Sequence, residues 1–405
     1  MIIYPVIELA DLVYAHEYGW LDALAETTEG VLLRPESKLR RVYKSGLTIR
    51  EYLARKYGIV LRDLKIMMDH GINTNNFREV FGLSKTPRNV VQVYNRLGVD
   101  LGVAFDVPAR LYEQAIIDIA VDGYTGIDVD VEVKDVVVNI AKAIREQVLK
   151  PSRETVRCLL RDHESELRKL SRLSVEVTLR RLGEMLKASD EVGFSGLVPV
   201  IQGVFKDDIE YSVRETIELV AQYRDSALIA IGTGGRGLSS SDVDNIAYAI
   251  SKIKEYSAKY GLSVRIHLLG ASSPDVLPQY IVKEIYSADS LTPRKRAAEG
   301  RIYLLKNGRL ELVHVSRVRD YSCSCPACRR MKLREYVLDG SGRRRNDVRL
   351  VHNTFMLANY LNRVRNEELT KWLNNTLITS PLNKTQDARH NPSQSQPGFR
   401  NNEVG

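Results

Sequence analysis

Residues 228–241 read LIAIGTGGRGLSSS, and this stretch passes from an apolar run through a glycine loop to the start of a helix. The run Leu228–Gly232 has the length and composition of a buried strand. Three serines, Ser239–Ser241, then offer N-cap side chains, and the amphipathic segment that follows stops at Gly261. The stretch therefore predicts one strand–loop–helix unit, with its helix over Ser240–Tyr260.

The same unit recurs on both sides of this stretch. Helical patterns such as Asp207–Tyr223 separate strand-like runs, which are Leu64–Met68, Val99–Phe105, Leu197–Ile201, Leu228–Gly232, Val264–Leu269 and Glu284–Ala288. Repeated strand–helix units predict a parallel sheet covered by helices. Polar or glycine residues follow the strands closely, which is typical of the carboxyl-end face of a (β/α)8 barrel. We predict an α/β fold of the TIM-barrel type, with an open doubly wound sheet as the alternative.

The composition is that of a folded protein. The chain has 405 residues, of which 44% are hydrophobic and 27% are charged. No stretch approaches the roughly 18 apolar residues that span a bilayer. The first twenty residues, MIIYPVIELADLVYAHEYGW, hold acidic residues where a signal peptide has a basic segment. We therefore expect a soluble cytoplasmic protein.

The positive charge is concentrated in one stretch. Residues 291–350 hold 16 Lys and Arg against 6 Asp and Glu, a net +10, whereas the whole chain carries +8. Such asymmetry is typical of a protein that binds phosphate groups of a nucleic acid. A solvated basic surface is the competing interpretation.

Three of the four cysteines lie within six residues, as Cys323-x-Cys325-x-x-Cys328, and His352 follows after 23 further residues. Three thiolates and an imidazole form a closed tetrahedral set that suits structural Zn²⁺. Reduced thiols packed in an apolar turn are the alternative. We expect His352-Asn353 to open a helix over Thr354–Arg363, and the remaining Cys158 to be a small buried side chain.

Two regions break the barrel rhythm and set the domain prediction. Residues 107–195 are long for one connection and predict an inserted subdomain or lid. Residues 301–315, RIYLLKNGRLELVHV, predict a hairpin that turns at Asn307-Gly308. The predicted domains are a catalytic barrel over 1–300 with an insertion at about 107–195, a zinc-binding module with closing helices over 301–378, and a disordered polar tail over 379–405.

Carboxylates stand at the ends of three strand-like runs, at Asp69, Asp106 and Asp289. The ends of barrel strands converge on one mouth, where two carboxylates can act as nucleophile and general acid/base on a glycosidic bond. Helix capping by each Asp is the competing interpretation. The histidines His16, His163 and His267 are expected to be surface or core residues rather than ligands.

These motifs, in this order, resemble those of the tRNA-guanine transglycosylase superfamily over about residues 60–360. The matching segments are MMDHGINTN around Asp69, RNVVQVYNRLGVDLGVAFD up to Asp106, VPVIQG with Gln202, LIAIGTGG, IHLLGASSP, YSADSLTPRKRAAEGRIY with Asp289, and the Cys3His set. The zinc motif and the segment around Asp289 are the specific ones.

The resemblance implies roles for particular residues. Asp289 is implied as the nucleophile and Asp69 as the general acid/base. Base contacts are implied for Asp106, Gln202, Gly232, Gly234 and Gly270. Contacts to nucleic acid are expected from Arg294, Lys295, Arg296, Arg343, Arg344 and Arg345.

The resemblance also implies the reaction and the partners. A guanine in tRNA or DNA would be exchanged for a 7-deazaguanine base, such as 7-cyano-7-deazaguanine, with structural zinc as the cofactor. A second copy of the chain and accessory modification proteins are further candidate partners. The competing hypothesis is a zinc-stabilised nucleic-acid-binding protein without catalysis, which accounts for the basic stretch and the metal set but not for the three carboxylates and Gln202.

Overall fold

The computed structural model describes most of the chain up to residue 378. The described residues are 1–17, 19–33, 37–61, 63–69, 74–127, 129–233, 239–270, 277–306, 309–318, 323–330 and 343–378; within helices, the side chains of 37, 74–76, 330, 343–345 and 367–378 are outside the description. The predicted tail over 379–405 and the predicted turn at Asn307-Gly308 lie outside the described residues.

Eleven strands are present in this part of the chain. They are β1 Ile2–Ile7, β2 Gly30–Leu33, β3 Lys65–Met68, β4 Leu101–Val103, β5 Leu197–Val198, β6 Val200–Ile201, β7 Ser226–Gly232, β8 Ser263–Leu269, β9 Ser287–Ser290, β10 Arg301–Lys306 and β11 Arg309–His314. The first nine form one parallel sheet in the order β5-β4-β3-β2-β1-β9-β8-β7-β6.

The two edge strands of that sheet are halves of one strand interrupted at Pro199. The Val198 carbonyl accepts a hydrogen bond from Ala104 N on one side, and the Pro199 carbonyl accepts one from Ala230 N on the other, each 2.8 Å long. Proline has no N–H to donate, so it breaks the ladder where the chain changes partner. Eight strand positions therefore close a parallel barrel, and the prediction of a barrel over an open sheet is confirmed.

Sixteen helices accompany these strands in the described residues. They are α1 Leu9–Glu17, α2 Leu21–Thr27, α3 Ser37–Ser45, α4 Ile49–Tyr57, α5 Thr74–Phe81, α6 Pro87–Leu97, α7 Ala109–Asp122, α8 Lys134–Gln147, α9 Arg153–Leu159, α10 Glu164–Val192, α11 Lys206–Ala221, α12 Ser240–Tyr260, α13 Gln279–Glu284, α14 Thr292–Ala298, α15 Pro326–Arg330 and α16 Arg343–Ile378. None of the described helices is long and apolar enough to cross a membrane.

Helix α12 begins and ends where local sequence chemistry predicts. The Ser239 hydroxyl accepts a hydrogen bond from Asp242 N, and the Asp242 carboxylate accepts one from Ser239 N, so the two residues form a capping box. Gly261 ends the helix in the left-handed conformation, at φ +69°.

The barrel interior is filled by side chains that alternate along the strands. One apolar cluster inside the barrel comprises Tyr4, Val6, Leu32, Met67, Val103, Val198, Val200, Leu228 and Ala230. A larger cluster lies between the outer faces of the strands and the surrounding helices. The barrel is therefore a packed scaffold whose interior is largely apolar.

The long connection between β4 and β5 consists of α7, α8, α9 and α10. Their apolar faces enclose a separate cluster that includes Tyr112, Val137, Ile140, Val156 and Leu170. The C-terminal part of α10, through Leu182 and Met185, joins the main core instead. The connection thus has a core of its own and is anchored to the barrel by the end of its last helix.

Three predictions about local structure are wrong. Cys158 is exposed, because the buried side of the short helix α9 is formed by Val156. His352 lies inside α16, which begins at Arg343, so it does not open a helix. The run Glu284–Ala288 is not a strand throughout, since Glu284 ends α13 and β9 covers Ser287–Ser290.

Candidate active site and metal centre

The register of the barrel strands shows that several polar side chains point into the barrel interior. Asp289 is in register with Tyr4, and Ser287 with both Ile2 and His267. Residues opposite one another in neighbouring parallel strands point to the same face. Because Tyr4 is part of the interior cluster, Asp289, Ser287 and His267 point into the barrel as well.

Asp289 lies in β9 near the carboxyl-end mouth and is only 5% exposed. Its Oδ1 accepts a hydrogen bond of 2.7 Å from Gly270 N and lies 3.2 Å from His267 Nε2. Among the described residues, no group is hydrogen-bonded to Oδ2. Oδ1 is therefore held by the protein, while Oδ2 has no hydrogen-bond partner in the part of the chain that the structure describes.

Gly270 supplies this contact from the end of β8, where φ is +76°. This left-handed conformation suits glycine and turns the backbone N–H toward Asp289. Two loops meet beside it, because the Thr233 hydroxyl donates a 2.8 Å hydrogen bond to the Leu269 carbonyl. Gly234, for which a base contact is predicted, lies outside the described residues.

His267 is a neighbour of Asp289 that sequence reasoning assigned only to the surface or core. The ring is fully buried, and its Nδ1 lies 2.9 Å from Ser287 Oγ. The signal in the sequence was a polar residue two positions before the end of an apolar strand. Its meaning depends on the β8–β9 register, which the sequence does not reveal.

Gln202 and Asp106 form a direct pair at the same mouth. Gln202 Nε2 donates a hydrogen bond of 2.5 Å to Asp106 Oδ2, and Gln202 N donates one of 3.1 Å to Ser212 Oγ. Gly232 borders the pair closely, since a Cβ there would lie 2.6 Å from Gln202 Nε2. The glycine at the end of β7 therefore makes room for the Gln202 side chain.

Tyr94 lies near the two carboxylates that follow β3 and β4, Asp69 and Asp106. Its ring is fully buried, and its hydroxyl donates a 2.8 Å hydrogen bond to the Val103 carbonyl. Burial raises the pKa of Tyr94, and the charges of Asp69 and Asp106 raise it further. Tyr94 thus remains a neutral donor, and the two carboxylates near it are half-buried.

The cations after Asp289 have different surroundings. Arg294 pairs with Asp11 at 3.1 Å and with Glu8 at 3.4 Å, and Arg296 pairs with Glu299 at 2.9 Å. Lys295 is exposed. The predicted nucleic-acid contacts Arg343, Arg344 and Arg345 form the first turn of α16, where their side chains are outside the description.

The predicted metal ligands come together at one point. The ligand atoms of Cys323, Cys325, Cys328 and His352 all lie within 4.8 Å of one another. His352 Nδ1 is 3.7, 3.4 and 3.3 Å from the three sulfurs in that order, close to the roughly 3.6 Å that tetrahedral zinc bonds imply. The sulfurs of Cys325 and Cys328, 2.8 Å apart, would separate by about 1 Å around a metal.

The surroundings of this cluster also suit a metal. His352 Nε2 donates to the Tyr303 carbonyl at 2.9 Å, which leaves Nδ1 as the ligand atom. Backbone N–H groups of Cys325 and Cys328 approach the sulfurs of Cys323 and Cys325 at 3.4 and 3.3 Å. The cluster therefore could hold a zinc ion, and its four protein ligands would leave no open coordination position.

Asn353 connects the metal centre to the segment after Asp289. Its side-chain nitrogen donates to the Pro293 and Arg301 carbonyls at 3.3 and 3.1 Å, and its oxygen accepts from Tyr303 N at 2.9 Å. The neighbour of a metal ligand thus holds both α14 and β10. The candidate metal centre is therefore connected through α16 to the segment that follows Asp289.

Comparison with known proteins agrees with this geometry. The family model described as queuine tRNA-ribosyltransferase matches residues 138–375, more than half of the chain. The match includes Gln202, Asp289 and all four candidate metal ligands, whereas Asp69 and Asp106 precede it. A search of curated proteins gave no significant match.

Proposed function

Because the chain belongs to the queuine tRNA-ribosyltransferase family, we propose that it exchanges a guanine in nucleic acid for a 7-deazaguanine base through a covalent intermediate on Asp289. Family membership supports guanine transglycosylase activity on nucleic acid in general. The incoming base, the acceptor and the residue roles are the parts that we add.

One observation carries the proposal, namely the asymmetric environment of the Asp289 carboxylate. Oδ1 accepts from Gly270 N and lies beside His267 Nε2, and the side chain is almost fully buried. A buried, oriented carboxylate whose second oxygen has no hydrogen-bond partner among the described residues has the properties of a nucleophile at a glycosidic carbon. Burial and orientation of this kind are not required of a surface that only binds phosphates.

The exchange consists of two displacements at one carbon. In the first, Asp289 Oδ2 forms a bond to C1′ of the target nucleotide, the bond from C1′ to N9 breaks, and guanine leaves with a proton from Asp69. In the second, Asp69 takes the N9 proton of the incoming 7-deazaguanine, N9 bonds to C1′, and the Asp289 carboxylate is released. One glycosidic bond replaces another, so the reaction needs no redox cofactor or nucleoside triphosphate.

The Gln202–Asp106 pair is the proposed base-recognition group. A carboxylate accepts hydrogen bonds from N1–H and the exocyclic amine, which guanine and 7-deazaguanines share on their Watson–Crick edge. The 2.5 Å hydrogen bond from Gln202 orients the Asp106 carboxylate for this task. The same pocket would then serve the leaving and the entering base in turn.

The nucleic acid has to present its target nucleotide outside the base stack to reach a barrel mouth. Lys295 is exposed in the helix that follows Asp289, and three arginines start α16. We propose that these cations bind backbone phosphates near the flipped nucleotide. Arg294 and Arg296, which have carboxylate partners, contribute after exchange of those partners for phosphate.

Zinc would be held by Cys323, Cys325, Cys328 and His352 and would supply a structural cross-link rather than chemistry. The cross-link joins the loop after β11 to α16, and Asn353 of α16 holds the Pro293 carbonyl. We propose that the metal thereby fixes the segment that follows the nucleophile.

The function is tested by base exchange with purified protein. The chain is incubated with labelled guanine and, separately, with tRNA and with duplex DNA, and retained label is counted; Asp289→Asn serves as the matched control. Label in either acceptor with the wild type, and in neither with the variant, supports the proposal and identifies the acceptor. Binding of nucleic acid without label in both acceptors overturns it in favour of a binding protein without catalysis.

A further inference from the structure

A chain of three inward-facing side chains leads away from the candidate nucleophile. Ser287 Oγ lies 2.9 Å from His267 Nδ1, and His267 Nε2 lies 3.2 Å from Asp289 Oδ1. Ser287 and His267 are completely buried, and the Tyr4 ring and the imidazole pack in a T-shaped arrangement with ring centres 6.0 Å apart. Ser287 precedes Asp289 by two residues on β9, so this arrangement lies deeper in the barrel than the Asp289 carboxylate.

We propose that His267 is a positioning residue, which Ser287 holds in the tautomer that donates to Asp289. This inference rests on the proposed role of Asp289 as the nucleophile. It adds a function for two residues that have no assigned role in the exchange. Neither His267 nor Ser287 contacts the reacting atoms, so both act through the carboxylate.

The tautomer follows from the acceptors and donors at each end. A neutral imidazole carries one N–H, and an ionised carboxylate can only accept. The contact with Asp289 therefore requires the proton on Nε2, which leaves Nδ1 as an acceptor for the Ser287 hydroxyl. If the Ser287 hydroxyl donates elsewhere, Nδ1–H becomes available and the donor opposite Asp289 is lost.

As a consequence, the two carboxylate oxygens of Asp289 have different roles in the reaction. Two donors, His267 Nε2–H and Gly270 N–H, meet on Oδ1 and fix the plane of the carboxylate. Oδ2 is then the oxygen that bonds to C1′, while Oδ1 becomes the carbonyl oxygen of the glycosyl ester. When the second base attacks, charge returns to the carboxylate, and the two donors on Oδ1 stabilise it as a leaving group.

Loss of this donor should affect turnover rather than binding of the base. His267→Leu keeps an apolar side chain in the buried position but removes the N–H. Loss of a hydrogen bond to a charged group corresponds to about a ten- to hundredfold change in rate. We therefore expect kcat to fall by this factor, with little change in KM for the base. Zinc content and thermal unfolding of each variant report whether the barrel is intact.

Rescue by glutamine separates positioning from packing. The amide nitrogen of glutamine is the same number of bonds from Cα as Nε2 of histidine, so His267→Gln keeps a donor near Asp289. We expect this variant to retain most of the wild-type kcat. Equal losses in His267→Leu and His267→Gln, with both proteins folded, would mean that His267 serves packing alone.

The closing experiment is a double-mutant cycle on kcat with Ser287→Ala. With His267 present, loss of the serine hydroxyl frees the other tautomer, and we expect kcat to fall severalfold. In the His267→Gln background there is no tautomer to select, so Ser287→Ala should have no further effect. An equal effect in both backgrounds would overturn the inference. The base-exchange assay of the wild-type protein is run first. Absence of exchange there would reject the proposed function itself, rather than the role of His267.

Discussion

Gln202 and Asp106 are joined by a 2.5 Å hydrogen bond across 96 residues of sequence. Gln202 follows β6 and Asp106 follows β4, so the pair spans the strand that Pro199 interrupts. The break at Pro199 lets β5 pair with β4 and β6 pair with β7, which directs the polar residues after these strands to one mouth. The pair is a consequence of barrel closure.

The first prediction concerns recognition of the base by this pair. Asp106→Asn replaces a carboxylate that accepts two hydrogen bonds by an amide with one donor and one acceptor. We expect KM for the guanine-type base to rise about ten- to hundredfold, with a smaller effect on kcat. Asp207→Asn, at a side chain that is 73% exposed, is the control and should leave KM unchanged. An unchanged KM in Asp106→Asn would assign base recognition to other residues.

The second prediction concerns the space beside Gln202. A Cβ at Gly232 would lie 2.6 Å from Gln202 Nε2, so Gly232→Ala must displace the amide from Asp106. We expect a folded protein whose KM for the base rises as in Asp106→Asn. Gly183→Ala is the matched control. Gly183 lies inside helix α10, and a Cβ there would meet only the Leu219 side chain, at an ordinary contact distance of 3.7 Å. That variant should keep full activity and gain up to about 1 kcal/mol in stability, measured by chemical unfolding.

The third prediction concerns the metal centre. Metal analysis should find about one zinc ion per chain, and Cys325→Ser should lose it. The lost ligand removes several kcal/mol of folding free energy from the C-terminal module, which should unfold at lower denaturant concentration. Cys158→Ser changes an exposed thiol outside the cluster and should retain both zinc and stability. A metal-free wild-type protein with full stability and activity would contradict the assignment.

The fourth prediction concerns the arginines at the start of α16. Replacing Arg343, Arg344 and Arg345 with Ala should weaken nucleic-acid binding and lower the slope of log K against log salt by up to about three. Arg168→Ala, in the exposed N-terminal part of α10, is the control and should leave the slope unchanged. An unchanged slope in the triple variant would mean that these arginines form only a solvated surface.

The sequence predicted the features that depend on local chemistry. Ser239 and Gly261 delimit α12 because capping and left-handed backbone require those residue types. The order of polar strand ends predicted the barrel, and the cysteine spacing predicted a cluster that the structure brings together with His352. Each of these predictions depends on residues that are close together in the sequence or on a short motif.

Features that depend on strand register and on packing could not be predicted from the sequence. The strands β1 and β2 were not recognised, since Ile2–Ile7 and Gly30–Leu33 are short apolar runs without a distinctive pattern. The contact between His267 and Asp289 requires β8 and β9 to pair in one particular register. Cys158 faces solvent because only one side of α9 is covered by its neighbours.

The most direct test of the account is to trap the covalent intermediate on Asp289. Wild-type protein is incubated with its acceptor nucleic acid, denatured and run on a denaturing gel, and the assay is repeated with Asp289→Asn and Asp69→Asn. We predict an adduct with the wild type and none with Asp289→Asn, because an amide is a very poor nucleophile. In Asp69→Asn the carboxylate of Asp289 remains, and overall exchange should slow by about 10²–10⁴-fold. An adduct that persists in folded Asp289→Asn would contradict the account and reassign the nucleophile to Asp69 or Asp106.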